Sequence, residues 1–134
     1  MTTFKNKLIH KFSLTPTPFY YYDLELLDQT LESLKKASDK YGYQVHYALK
    51  ANANPTILKQ IRKHGFGADC VSGNEVSRAA ETGFPGESIV FAGVGKSDEE
   101  IKTGLNHDIH SFNCESAQEL EVIDQIAEAI KKIA

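Results

Sequence analysis

Cysteine is scarce in this 134-residue sequence and follows no pattern. Cys70 and Cys114 stand 44 positions apart and form no Cys-x-x-Cys pair. A disulfide framework or zinc site is therefore not expected, and reduced thiols in a cytoplasmic setting are. Long apolar runs are missing as well, with none near the roughly 20 residues of a membrane span. Met1 to Lys11 alternates charged and apolar residues, unlike the apolar centre of a secretory leader. Positive charge is not in excess: 15 Lys and Arg face 18 Asp and Glu, for a net charge of -3. Nucleic acid and anionic membrane are accordingly not expected as partners. His107 and His110 have no supporting carboxylate pattern, so no metal site is expected. Gly93-Val94-Gly95-Lys96-Ser97 suggests a phosphate loop, but Val90 stands where that motif needs its first glycine. A plain strand-to-helix connection is the better reading.

What remains is the composition of a globular domain, 41% hydrophobic and 25% charged. Beyond about fifteen residues of indeterminate structure, Pro16 and Pro18 introduce an expected aromatic strand, Phe19 to Tyr22. Leu24, Leu27, Leu31, Leu34 and Tyr41 then recur at helical spacing, with Asp23 placed to cap the helix and Gly42 to end it. A regular alternation follows. Expected strands at Val45 to Lys50, Phe66 to Val71, Ser88 to Ala92 and Ile109 to Cys114 each precede a helix. Asn54-Pro55 supplies a cap and first-turn proline for the first of these helices, which ends at Gly65. Ser72 with Glu75, Ser97 with Glu100 and Ser116 with Glu119 repeat the Ser-x-x-Glu signal of a capping box.

Strands alternating with helices over short loops imply parallel βα units, and the even period of roughly 20 residues suits a (β/α) barrel. A complete barrel needs about 250 residues. The expectation is an α/β fold: a partial (β/α)8 TIM barrel with about four βα units, in a segment of a longer reading frame. Residues 1–22 would be an N-terminal segment with a lead-in strand, and 23–134 the N-terminal half of the barrel. A complete small domain with an open four-stranded sheet is the alternative.

Alternation places Val45, Tyr47 and Leu49 on one side of the first strand and His46, Ala48 and Lys50 on the other. Lys50 thus closes the strand at its carboxyl end, where barrels keep their chemistry. A lysine in such a cavity is suited to Schiff-base formation, because its amine loses its charge readily on desolvation. Spacing alone favours a solvated surface lysine; the surrounding sequence reverses that preference. Tyr47-Ala48-Leu49-Lys50-Ala51-Asn52 resembles the cofactor-lysine motif of the fold-type III pyridoxal-phosphate-dependent decarboxylases. The resemblance continues through Thr17 to Asp23, Gly65 to Val76, Phe91 to Ser97 and Asn113 to Ser116, in the family's order and spacing. Within the family the wording is most similar to the bacterial diaminopimelate decarboxylases.

The resemblance implies a barrel that carries pyridoxal 5'-phosphate on Lys50 and removes carbon dioxide from an amino acid, most similarly diaminopimelate, to give lysine. Asp69 matches an acidic residue near the cofactor lysine, where it would orient that amine and stabilise its cation. A strand-end carboxylate bonded to a neighbouring loop is the plainer alternative for Asp69. Ala48 would present a small surface to the cofactor ring, or simply fill core. Glu75 matches a glutamate that pairs with an arginine beyond Ala134, although its capping position accounts for it equally. The family's glycine-rich phosphate loop, its acid at the pyridine nitrogen and its C-terminal β-domain would also lie beyond Ala134, so these 134 residues alone are expected not to turn over substrate. Family members are usually homodimers. Decarboxylases of carboxynorspermidine, arginine or ornithine, and a non-catalytic cofactor-binding module, remain alternatives.

Overall fold

The computed structural model describes residues 2–132. The chain opens with helix α1 (Thr2–Ser13) and helix α2 (Leu24–Lys40). Asp23 caps α2 by accepting the Leu26 N–H at 3.0 Å. Strand β1 (His46–Ala48) passes into a single 3-10 turn, Leu49–Ala51. Helix α3 (Pro55–Lys63) starts at Asn54, whose side chain accepts from Thr56 N at 2.9 Å, and at Pro55, whose missing N–H costs nothing there. Then follow β2 (Gly67–Cys70), α4 (Gly73–Glu81), β3 (Ile89–Phe91), α5 (Asp98–Asn106), β4 (Ser111–Phe112) and α6 (Ala117–Ala129).

The four strands are all parallel and lie side by side in chain order, β1-β2-β3-β4. A doubly wound sheet would reverse its strand order at some point; a barrel does not. The two faces differ sharply. Ala68, Cys70, Ile89 and Phe91 are fully buried in one cluster with Leu58 and Ile61 of α3 and Val76 and Ala79 of α4. Ile101 and Leu105 of α5 form a second cluster with Ile123 and Ala127 of α6. The opposite face carries Ala48, Asp69, Val90 and Ser111, which the register sets in one row. None of these four is fully buried. One face packed against helices and one lined by small and polar groups is the arrangement of a (β/α) barrel wall, here four units long.

Several expectations are corrected. The first fifteen residues include a helix, α1. Phe19 to Tyr22 is not a strand, because no neighbouring chain is available to complete its ladder among the described residues. Its rings pack locally instead: Phe12 lies 5.4 Å from Phe19 and 5.0 Å from Tyr21, and Tyr20 stacks on Tyr22 at 6.4 Å. The apolar stripe of α2 is only partly used. Leu31 is buried and Leu27 half-buried, whereas Leu24, Leu34 and Tyr41 are exposed. The strands are also shorter at both ends than their apolar runs, since ladder pairing stops before the apolar residues do.

Helices α2 and α3 are joined by a polar contact that periodicity does not reveal. Asp28 accepts from Gln60 and lies 2.6 Å from His64 Nε2. The bond to His64, helped by Gln60, holds the Asp28 carboxyl below its ordinary value of 3.8. A carboxyl depressed in the folded state stabilises the fold above its ordinary value, and that stabilisation is lost as pH falls through the lowered one. Asp28→Asn is therefore expected to lower the thermal midpoint at neutral pH. The gap to the parent should close as pH falls from above 3.8 through the lowered value. A gap that stays constant over that range would contradict the assignment.

Candidate active site

The inward face of the sheet can be followed in levels. At its amino end His46 is paired in register with Gly67. A Cβ on Gly67 would stand 2.2 Å from the His46 ring, so glycine is what lets the imidazole lie across β2. His46 Nε2 is buried with no partner. Burial lowers the His46 pKa, His110 adds to the effect and Asp69 opposes it, so the ring is neutral at physiological pH. The next level is the row of Ala48, Asp69, Val90 and Ser111. Ladder bonds continue one step further, from Ala92 N to Cys70 O at 2.8 Å and from Asn113 N to Phe91 O at 2.9 Å.

Lys50 lies at the carboxyl end of β1, as expected, but in the 3-10 turn rather than on the strand. Leu49 is fully buried in the core and anchors that turn. The loop beyond is pinned by Asn52, which accepts from Asn54 N at 2.9 Å, and by Tyr47 Oη, which donates to Asn52 O at 3.4 Å. Lys50 itself is exposed and makes no hydrogen bond or ion pair among the described residues. Asp69 is half-buried and likewise has no side-chain partner among them. Among the described residues no loop group bonds to the Asp69 carboxylate. Ala48, a small residue, stands beside Asp69 in register. A free amine, a free carboxylate and a small side chain at the mouth of a parallel sheet suit pyridoxal phosphate.

Burial pushes the Cys70 thiol up to about 12, with Glu75 and Asp69 adding to the rise, which leaves it an inert core residue. A groove of about 560 Å³ runs along the free edge of β4 against α6, lined by Ser111, Phe112, Leu120 and Ile123 among others. It contains none of the three candidate residues. An edge strand with no partner beyond it leaves such a groove.

The helix starts behave differently from one another. Ser97 and Glu100 make a complete capping box. Glu75 instead accepts from Val71 N at 2.7 Å, and Glu119 from Glu115 N at 2.7 Å, each one residue further back than the box requires. Glu75 therefore performs a capping role in its own loop. Glu100 also reaches the preceding unit, accepting from Gly73 N at 3.0 Å. Lys96 belongs to what the sequence suggests is a plain connection, yet its side chain is 1% exposed and it donates to three acceptors. Sequence offers one signal for it: Gly93 and Gly95, both at positive φ, allow the turn that folds the lysine inward.

Comparison with known proteins agrees with this fold. The family described as pyridoxal-dependent decarboxylase, pyridoxal binding domain, matches residues 26–133. The chain is 55% identical over 127 residues to the diaminopimelate decarboxylase of Bacteroides thetaiotaomicron, covering 94% of this chain and 33% of that protein. It is 41% identical over 118 residues to the enzyme of the same name from Aquifex aeolicus, covering 88% of this chain and 28% of that protein. A point variant of Helicobacter pylori diaminopimelate decarboxylase, solved in complex with L-lysine, superimposes with a TM-score of 0.83 at 39% identity, over 92% of this chain and 32% of that one. The chain thus spans about a third of the length of these relatives. With its parallel half-barrel and its strand-end lysine, it belongs to the pyridoxal-dependent decarboxylase family and forms part of that family's pyridoxal-binding domain.

Proposed function

We propose that residues 23–134 are the N-terminal half of the cofactor barrel of a diaminopimelate decarboxylase, which converts meso-diaminopimelate to L-lysine. Residues 1–22 precede that domain. The carrying observation is Lys50, exposed and unpartnered among the described residues, two positions past Ala48, which pairs in register with the equally unpartnered Asp69. The substrate assignment is supported by the 55% identity to a diaminopimelate decarboxylase and by the likeness to a relative solved with L-lysine.

In this reading Lys50 Nζ would hold pyridoxal 5'-phosphate covalently. When bound, the cofactor supplies an electron sink for the pair left behind by departing carbon dioxide. Asp69 would orient the Lys50 amine. Ala48 would present a small side chain to the cofactor. His46 and Gly67 close the barrel below them with a neutral side chain. Glu75 spends one carboxylate oxygen on Val71 N; the other has no partner among the described residues and is available to an arginine from the rest of the barrel. The small-molecule substrate would enter at the strand ends, in a cytoplasmic homodimer. No helix among the described residues is long and apolar enough to cross a membrane.

The full-length protein, incubated with diaminopimelate and pyridoxal phosphate, is expected to release carbon dioxide and lysine in equal amounts. Ornithine, arginine and carboxynorspermidine serve as competing substrates in parallel. Faster turnover of any of these would reassign the substrate, and no turnover of all four would leave a cofactor-binding module. The 134 residues alone are expected to be inactive in the same assay.

A further inference from the structure

We propose that Lys96 is a positioning residue that fixes Asn113 at the cofactor level of the barrel mouth. The proposal rests on the cofactor reading above. Lys96 follows β3, yet its contacts lie mostly in the next unit. Its Nζ donates to Gly93 O at 2.9 Å, to Asn113 O at 2.9 Å and to Glu119 Oε1 at 3.0 Å, and lies 5.5 Å from the centre of the Phe91 ring. The lysine side chain is 1% exposed and that of Glu119 is 12% exposed. A cation so enclosed is retained only where each of its donors is matched. Here the three acceptors are one carbonyl of its own loop, one carbonyl at the end of β4 and one carboxylate at the start of α6. Glu119 is held in turn by Glu115 N, so the whole segment from Asn113 to Glu119 is tied to a single ammonium.

The position of Asn113 gives this tie its significance. Two residues on from the row of Ala48, Asp69, Val90 and Ser111 come Lys50, in the turn after β1, and Val71, Ala92 and Asn113, each just past the carboxyl end of its strand. Asn113 is exposed, and its side-chain amide has no partner among the described residues. Its backbone is held on both sides, by Phe91 O through its N–H and by Lys96 through its carbonyl. An amide presented from such a backbone can meet the cofactor or the substrate without further ordering. Strand β4 has only two ladder residues, so its end would be poorly fixed without the lysine.

The full-length protein provides the test. In cofactor-free Lys96→Met, amide exchange across residues 113–119 is expected to quicken by about tenfold or more, with α2 and α3 unaffected. Loaded with pyridoxal phosphate, the variant should still be labelled at Lys50 by borohydride and show an altered visible circular dichroism band. Its kcat should fall by about tenfold or more, with KM nearly unchanged. Faster exchange with an unchanged kcat and dichroism band would reduce Lys96 to a stability role and overturn the proposal. Unchanged exchange would overturn it as well. Should Lys96→Met fail to fold, Glu119→Gln, which keeps both carbonyl contacts, is judged by the same readouts and criteria. A parent protein never labelled at Lys50 would sink the cofactor reading and this proposal together. A labelled parent matched by its variant would sink this proposal alone.

Discussion

Lys50→Ala is expected to abolish borohydride-dependent labelling of the full-length protein and to bring decarboxylation below detection, while leaving the fold intact. Covalent attachment needs an amine that can lose its proton and reach the cofactor aldehyde. Lys50 is exposed and unengaged among the described residues. The other amine near the strand ends, Lys96, is occupied by two carbonyls and a carboxylate and cannot substitute for it. Lys50→Arg should fail equally, because a guanidinium retains its charge but does not deprotonate. Since the parent side chain has no partner among the described residues, the unfolding free energy of either variant should stay within about 0.5 kcal/mol of the parent. Peptide mass mapping after reduction, paired with urea unfolding, gives both readings on one sample. A label appearing elsewhere in Lys50→Ala, or activity persisting, would remove Lys50 from the centre of the site.

Phe91→Ala should produce the largest loss of stability, about 3–5 kcal/mol. Phe91 is fully buried and lies in register with Cys70 on one side and Phe112 on the other. Its ring centre is 5.8 Å from that of Phe112, and Lys96 Nζ stands over its face. Truncation therefore opens a cavity between sheet and helices and withdraws the surface on which the Lys96 ammonium rests. Against a typical domain stability of about 5–15 kcal/mol, such a loss removes a large share of the folded state's margin. Phe91→Leu, which keeps most of the volume, should cost well under half as much. Urea denaturation of the full-length protein measures both, and a cost for Phe91→Ala below about 1 kcal/mol would show that the core closes around the deletion.

Much of the fold was legible in the order of the residues because the signals were local. Asn54-Pro55 begins a helix through one side-chain acceptor and one missing N–H, and both act within three residues. The Ser-x-x-Glu repeats locate three helix starts on the same grounds, even though two of the glutamates reach one amide further back. The aromatic run Phe19 to Tyr22 misled for the opposite reason: β propensity describes a residue's fit to a sheet, and no strand stands beside this segment among the described residues. The apolar stripe of α2 was similarly visible, but which of its leucines become buried depends on what lies opposite.

By itself the sequence determined the succession of helices and parallel strands, the lysine at the end of the first strand and the family to which these motifs belong, because each is written in contiguous residues. Tertiary structure alone decided that Ala48 stands beside Asp69, that His46 lies across Gly67, and that Lys96 binds the next unit's backbone. Those are meetings of groups 17 to 23 residues apart or more, brought together by strand register and burial. No local pattern records such a meeting, since an ammonium in water and one shared among three buried acceptors are spelled with the same letter.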